Sequence, residues 1–209
     1  MREFFKERNL SDGFMENFTG FMLGDGYLSN QNKSKHSAQL CMRNKFPNYI
    51  YYVSKLLTAE DVEHIVKIND VKGNFKGSGF SSTVYTKFYK TFADLERKWY
   101  ETRDDGTHFK IVPVDLKLTP ISLLQWYIGD GYLVNLHGKP ERVQFCTDRY
   151  SDEEIQFLRD CFERDFGISV QIDWCRRRLR IPKRYLGDFF EVLPECPQDF
   201  NNVLGYKWA

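Results

Sequence analysis

The pentapeptide Gly-Asp-Gly-Tyr-Leu occurs twice in this chain, at residues 24–28 and again at residues 129–133. Each copy ends a mostly apolar segment, and the two copies are 105 positions apart. A Gln-x-Cys pattern at residues 39–41 recurs at the same offset at residues 144–146. Because one offset relates both features, the sequence predicts a duplicated fold with two similar repeats packed into one compact body.

Hydrophobic periodicity and turn residues predict the same order of elements in both repeats, namely helix, hairpin, helix, hairpin, helix. Predicted helices begin near residues 12, 47, 92, 120, 151 and 184. Predicted strands cover residues 27–30, 37–43, 63–69, 80–88, 132–136, 142–147, 170–174 and 178–181. The fold class is therefore α+β, with the first repeat at residues 1–105, the second at 106–209, and a linker at about residues 101–110.

The bulk composition excludes several classes of protein. The sequence has no apolar stretch long enough to cross a bilayer, and its charged first residues are unlike a signal peptide. We therefore expect an intracellular, cytoplasmic protein, with an organellar origin left open. The five cysteines and four histidines are scattered, which indicates neither a disulfide framework nor a zinc site.

Basic residues are concentrated at residues 176–184, although the net charge of the chain is only +1. Strand alternation predicts that Arg178 and Arg180 face outward on one strand, with Arg176 at the hairpin tip. Arginine in such a place can bind guanine or phosphate with both arms of its guanidinium group. A solvated basic face is the alternative interpretation. On the partner strand we expect the side chains of Val170, Ile172 and Trp174 to pack inward.

The repeated Gly-Asp-Gly sequence predicts a specific geometry. If the helices that end at Gly24 and Gly129 pack together, the missing side chains let their backbones touch, and Asp25 and Asp130 emerge side by side. Two carboxylates at the negative ends of two helix dipoles repel each other, and a divalent cation such as Mg²⁺ would resolve this. The alternative is that each copy is only a tight turn from helix to strand.

Segments 18–26 and 123–131 resemble the two signature motifs of the LAGLIDADG homing endonucleases, in the single-chain form that carries both motifs. The Thr-Pro pair at residues 119–120 and the Tyr-Lys-Trp sequence at 206–208 also look like this family. The third motif position departs from symmetry, since it is Gly20 in the first copy and Gln125 in the second.

The resemblance implies a pseudo-twofold duplication of an αββαββα unit. Two motif helices would lie at its centre, and two antiparallel sheets would form a DNA-binding saddle. Asp25 and Asp130 match the metal-binding acidic residues of the family, and each would act on one strand of the duplex. The carbonyl groups of Gly24 and Gly129 would be the neighbouring metal contacts.

The resemblance also assigns roles to residues outside the motifs. Lys110 and Lys207 match catalytic lysines that the family places near the cut phosphates, with solvated surface lysine as the alternative. The two hairpins that follow the motifs carry Gln39, Arg43 and Gln144, which would contact bases or orient water. Ordinary polarity of an exposed strand is the alternative for these three residues.

The resulting functional hypothesis is a monomeric, site-specific homing endonuclease that cuts both strands of a DNA target. It would hydrolyse phosphodiester bonds with water activated by a divalent cation, Mg²⁺ or another such as Mn²⁺. Two alternatives share the fold, namely an RNA maturase that binds its host intron RNA and a DNA-binding protein without cleavage. A glycosidase with a carboxylate pair is a further rival, against which the basic hairpin argues.

Overall fold

The structure is a computed structural model that describes residues 7–30, 36–71, 79–102, 104 and 107–208. Within these residues the helices are α1 (Asp12–Leu23), α2 (Pro47–Ala59), α3 (Lys90–Trp99), α4 (Pro120–Asp130), α5 (Asp152–Phe166), α6 (Leu186–Val192) and α7 (Asn201–Leu204). The strands are β1 (Tyr27–Ser29), β2 (Gln39–Asn44), β3 (His64–Val71), β4 (Gly79–Thr86), β5 (Tyr100–Thr102), β6 (His108–Lys110), β7 (Gly131–Leu136), β8 (Lys139–Cys146), β9 (Gln171–Asp173) and β10 (Arg178–Pro182).

The two motif helices, α1 and α4, pack against each other at the centre of the molecule. The hydroxyl group of Ser11 caps α1 by accepting a hydrogen bond from the Phe14 amide at 3.1 Å. The helix α4 begins with a capping box in which Thr119 and Ser122 each accept a backbone amide of the other. Both helices are largely apolar, because each is covered by its own sheet and by the other helix.

Two four-stranded sheets flank the central helices, and every pairing within them is antiparallel. The first sheet has the order β1-β2-β4-β3, and the second has the matching order β7-β8-β10-β9. The helix α2 packs on the first sheet, whereas α5 and α6 pack on the second. The α+β fold and the duplicated architecture that the sequence predicts are therefore confirmed.

The strand register departs from the offset of 105 that relates the two motifs. Tyr27 lies opposite Cys41, whereas Tyr132 lies opposite Gln144. The two tyrosines are 105 positions apart, but Cys41 and Gln144 are only 103 apart. The predicted match of the two Gln-x-Cys patterns is therefore wrong by two residues. A slip of two leaves every side chain on the same face of the sheet, so hydrophobic alternation cannot detect it.

The two residues that restore the offset of 105 lie between β8 and α5. The helices α2 and α5 begin at Pro47 and Asp152, which are again 105 positions apart. The hairpin of β7 and β8 is thus shorter than its counterpart, and the turn at residues 147–151 is longer. That turn carries Asp148 and Arg149, which have no counterpart at the same place in the first repeat.

Part of the predicted linker forms a small sheet. β5 pairs with β6, so that Tyr100 lies opposite Lys110 and Thr102 lies opposite His108. Residues 103, 105 and 106, which also belong to the linker prediction, lie outside the described residues. The pairing continues directly from α3, and it fixes Lys110 at the end of β6.

Two further differences concern the C-terminal half. Trp174 is 47% exposed, so the prediction that it packs inward is wrong, although Val170 is buried and Ile172 packs against the core. The reason is that β9 ends at Asp173 and Trp174 begins the turn to β10. The tail forms α7 and a 3₁₀ turn at Gly205–Lys207, neither of which the sequence predicted. Among the described residues, none of the helices has the length and apolarity required to span a bilayer.

Candidate metal centre and nucleic-acid interface

The ends of α1 and α4 touch through their glycines. A Cβ atom built on Gly24 would lie 3.5 Å from the Cα atom of Gly129. One built on Gly129 would lie 3.2 Å from the Asp25 amide nitrogen and 3.3 Å from the Gly24 Cα atom. The contact between backbones that the repeated glycine predicts is present, and it places Asp25 and Asp130 at adjoining helix ends.

One turn before this contact the packing of α1 and α4 is asymmetric. A Cβ atom on Gly20 would lie 2.3 Å from the Ser122 carbonyl oxygen and 2.5 Å from the Gln125 Cβ atom. The Gln125 side chain, 1% exposed, donates to Asn17 at 2.8 Å and accepts from the Tyr49 hydroxyl group at 3.1 Å. Gln125 therefore fills the space that Gly20 leaves and joins a buried hydrogen-bond network, so it does not loosen the helix contact.

The two aspartates have different surroundings. Asp25 is exposed, and it accepts a hydrogen bond from the Asn44 side-chain amide at 3.3 Å. Partial loss of hydration raises the pKa of Asp25, although Asn44 and the nearby lysines oppose the shift. Burial, followed by the negative charge of Asp25, raises the pKa of Asp130 to about 6. The mutual repulsion that the repeated motif predicts thus acts on Asp130.

Lys110 reaches from the end of β6 to the end of α1. Its ammonium group donates to the carbonyl oxygens of Met22 at 2.6 Å, Gly26 at 2.5 Å and Gly24 at 3.3 Å. These carbonyls form the negative end of the helix dipole, where a cation is stabilised. Burial, and then repulsion from Arg149, lowers the pKa of Lys110 to about 7, whereas both aspartates oppose the shift.

Lys207 makes the corresponding contacts at the end of α4. Its ammonium group donates to the carbonyl oxygens of Ile128 and Gly131, each at 2.7 Å, and of Tyr127 at 3.1 Å. The side chain is buried, which lowers the pKa of Lys207 to about 8. The alternative interpretation of solvated surface lysines is therefore wrong for Lys207. The structure places both lysines at the helix ends that carry the aspartates.

The oxygen atoms at the two helix ends suit a hard divalent cation. Two carboxylates are available, and the Gly24 carbonyl oxygen, although it accepts a hydrogen bond from Lys110, keeps a second lone pair. Within the described ranges no cluster of three or more His, Cys, Asp or Glu side chains could hold a metal ion. A cation held by few protein ligands fits Mg²⁺, which keeps several waters and also binds phosphate.

The first sheet turns one face to the core through Leu40, Met42 and Val84. We call the opposite face the first open face, and on it lie Tyr27, Gln39, Cys41, Arg43 and Tyr85. The half-buried Gln39 donates from Nε2 to the Cys41 sulfur at 3.3 Å. Arg43 is exposed and donates from Nε to the Ser81 hydroxyl group at 2.6 Å. Both predicted DNA-contacting residues of this sheet therefore lie on its open face.

The second open face is the corresponding surface of the second sheet, and on it lie Tyr132, Arg142, Gln144, Arg178 and Arg180. Leu179 and Ile181 are fully buried on the other face, as strand alternation predicts. Arg178 donates from Nη1 to the Tyr132 hydroxyl group at 2.6 Å, and its guanidinium group lies 5.7 Å from the centre of that ring. Arg176 is exposed in the turn that precedes β10.

The alternative interpretation of Gln144, ordinary polarity of an exposed strand, is wrong. Its side chain is 2% exposed, because the register places it directly opposite Tyr132 and beside Arg180. The Tyr132 hydroxyl group donates to the Gln144 Oε1 atom at 3.0 Å. Gln144 therefore orients Tyr132 and, through it, Arg178.

The model of the LAGLIDADG DNA endonuclease family matches residues 15–186, which is most of the chain. The chain belongs to this family. The resemblance of the two motifs is thus confirmed.

Two relatives show how far the similarity extends. Protein RecA of Mycolicibacterium flavescens is 27% identical over 173 residues, which cover 78% of this chain and 38% of that protein. An uncharacterized protein of Methanocaldococcus jannaschii is 25% identical over 211 residues, which cover 96% of this chain and 78% of the relative. The chain therefore spans little more than a third of the RecA relative.

Solved structures show the same fold. The homing endonuclease I-WcaI, solved bound to its DNA recognition sequence, superposes with a TM-score of 0.80 at 22% identity, over 96% of this chain and 88% of that one. I-DmoI, solved in complex with DNA and Mn, gives a TM-score of 0.52 at 17% identity, over 88% of this chain and 98% of that one. At these identities the likeness establishes the LAGLIDADG fold.

Sequence reasoning missed two residues beside the paired aspartates of this family member. One is Asn44, the hydrogen-bond donor to Asp25. The other is Arg149, which is exposed on the long turn and whose positive charge opposes the rise in the pKa of both aspartates. Arg149 and Lys110 also line one cleft of about 560 Å³. The greater length of this turn could have indicated Arg149. The match of the two Gln-x-Cys patterns, which is wrong by two residues, made the turns look equal in length.

Proposed function

We propose that the chain is a site-specific, double-strand DNA endonuclease that depends on a divalent cation. The observation that carries the proposal is the contact of Gly24 with Gly129, which holds Asp25 and Asp130 at adjoining helix ends. A duplex has two strands of opposite polarity, and two carboxylates related by a pseudo-twofold axis supply one for each strand. One chain contains both, so a monomer is sufficient.

The cation would be held by Asp25 and Asp130, with the carbonyl oxygens of Gly24 and Gly129 as neighbouring donors. When bound there, a divalent ion supplies activation of water and stabilises negative charge on the leaving oxygen. Mg²⁺ suits the small set of oxygen donors, and Mn²⁺ is the ion in the solved I-DmoI complex. The raised pKa of Asp130 supports a site that is electrostatically incomplete without a cation.

The chain itself supplies the remaining parts of the site. Lys110 and Lys207 place their side-chain nitrogen atoms at the two helix ends, beside the place where a phosphate would meet the aspartates. The open faces of the two sheets would lie against the duplex, with Arg43 on one and Arg178 and Arg180 on the other. That I-WcaI was solved with its DNA recognition sequence supports duplex DNA as the substrate.

The test is incubation of a randomised duplex library with Mg²⁺ and, separately, with EDTA, followed by sequencing of the cut ends. We expect cleavage at a defined site with Mg²⁺ and no cleavage with EDTA. The double variant Asp25→Asn with Asp130→Asn should bind the recovered site but not cut it. Asp188→Asn, a change of the same kind at an exposed position on α6, is the matched control and should cut normally.

Two outcomes would overturn the proposal in different directions. Cutting by the double asparagine variant would remove the aspartates from the mechanism. Absence of cutting under every condition would favour one of the alternatives on the same fold. Selective duplex binding would then indicate a DNA-binding protein without cleavage, and tight binding of intron RNA would indicate a maturase.

A further inference from the structure

The central row of the second open face is rich in hydrogen-bonding side chains. The strand pairings place four residues side by side across the sheet, in the order Tyr132, Gln144, Arg180 and Gln171. Gln144 is bound to Tyr132, and Gln171 is exposed on β9 at the edge of the sheet. Arg180 stands between the two glutamines.

The equivalent row of the first open face has a different chemistry. Its residues, in the same order across the sheet, are Tyr27, Cys41, Tyr85 and Ile65. Ile65 is 58% exposed and Tyr27 is 41% exposed. In the first sheet Tyr85 therefore occupies the position that Arg180 occupies in the second, beside an exposed aliphatic side chain.

Arg180 is available for a ligand in a way that Arg178 is not. The Nε atoms of both arginines are buried without a hydrogen-bond partner, but within the part of the chain that the structure describes the rest of the Arg180 side chain also forms no hydrogen bond and no ion pair. Arg178, by contrast, is committed through Nη1 to the Tyr132 hydroxyl group. Since a guanidinium group binds the O6 and N7 atoms of guanine with two parallel hydrogen bonds, Arg180 fits a guanine in the major groove.

We propose that Arg180 recognises a guanine at one position of the half-site under the second sheet. The position of the other half-site that the pseudo-twofold axis relates to this one faces Tyr85 and Ile65, whose ring and aliphatic side chain offer apolar contacts suited to a thymine methyl group. The target is therefore asymmetric at that pair of positions. This inference rests on the proposed function in that the ligand is duplex DNA, but it specifies the base at a single position.

The test is a binding selection from randomised duplexes in EDTA, in which enriched sequences are read for the unaltered chain and for variants. The unaltered chain should enrich one guanine that Arg180→Gln changes to adenine, because a glutamine side chain pairs with the N6 and N7 atoms of adenine. Arg180→Gln should also bind the original target about ten- to a hundredfold more weakly. Arg159→Gln removes the same charge from α5, which packs on the other face of the second sheet, and should leave the enriched base unchanged.

A reciprocal variant tests the same inference on the other sheet. Tyr85→Arg should create a guanine preference at the twofold-related position, and this test does not depend on the folding of the Arg180 variant. The inference is overturned if the selected site contains no guanine that responds to Arg180→Gln, while cutting of that site leaves the proposed function intact. A chain that enriches no duplex and cuts none overturns both.

Discussion

The ends of the two motif helices share a pentapeptide, and at each end a lysine, Lys110 or Lys207, donates hydrogen bonds to the carbonyl oxygens of the helix. We call these two sets of contacts the lysine clamps. The two ends differ in the side chains that lie beside the aspartates. At the first end a short connection brings Asn44 against Asp25. At the second, the longer turn at residues 147–151 carries Asp148 and Arg149, and the pKa of Asp130 is raised to about 6. Duplication has preserved the groups on the pseudo-twofold axis, whereas their neighbours have diverged.

The largest expected effect comes from removing one aspartate at a time. Asp25→Asn and Asp130→Asn should each reduce cleavage of one strand by about 10²- to 10³-fold, because charge stabilisation at that strand is lost. The measurement is single-turnover cutting of a duplex labelled on both strands. If the two ends are equivalent, the defects will mirror each other. Equal loss on both strands in either variant would contradict the assignment of one aspartate to each strand.

A change at the asymmetric contact of α1 with α4 should have a smaller effect, and that effect is on the stability of the fold. Gly20→Ala places a methyl group 2.3 Å from the Ser122 carbonyl oxygen and should lower the free energy of unfolding by about 1–3 kcal/mol. Gly187→Ala in α6 meets no atom within 4 Å, and should instead stabilise slightly. Urea denaturation of both variants makes the comparison. Equal stabilities would show that α1 and α4 can move apart without cost.

The lysine clamp predicts a dependence of stability on pH. The folded-state pKa of Lys207 is about 8, below its ordinary value of 10.5. Between these values the unfolded chain holds a proton that the folded chain has lost, so the contribution of Lys207 to stability rises as pH rises through this window. The difference between the unaltered chain and Lys207→Met, measured by urea denaturation from pH 7 to 11, should show that rise. A constant difference would contradict the lowered pKa.

The smallest expected effect concerns Arg149, which lies on the turn at the second end and acts on both aspartates through its charge. If its guanidinium group contacts a phosphate, Arg149→Gln should weaken DNA binding uniformly across sequences. It should also reduce the slope of log affinity against log salt by about 1. Asn44→Ala, at the first end, removes no charge and should leave that slope unchanged. Equal slopes for both variants would remove Arg149 from the interface.

The parts of the molecule that the sequence predicted are those that depend on local pattern. The helix from Pro120 and the capping box at Ser151 follow from residues within one turn of each other. The contact of Gly24 with Gly129 followed from a repeat, because the same unusual residue at equivalent positions has a shared cause. These features require no knowledge of how distant strands pair.

The features that the sequence did not predict depend on contacts between distant residues. The burial of Gln144 does not follow from the sequence, because alternation defines the face of a strand but not which neighbours cover it. The bonds of Lys110 and Lys207 to carbonyl oxygens leave no trace in any local pattern, since the partners are separated by 76 to 88 positions. The roles of the candidate site residues remain predictions, which the variants above are designed to test.

The lysine clamps have a consequence for the modular construction of the chain. Lys110 follows the last helix of the first repeat and returns to the end of α1, and Lys207 does the same for α4. In each repeat the lysine therefore links the last segment to the first helix, and the two segments meet at the pseudo-twofold axis. Division of the chain after Lys110 keeps both of these links within one part of the chain. Hybrids of two family members joined at that point would keep each helix end with its own lysine.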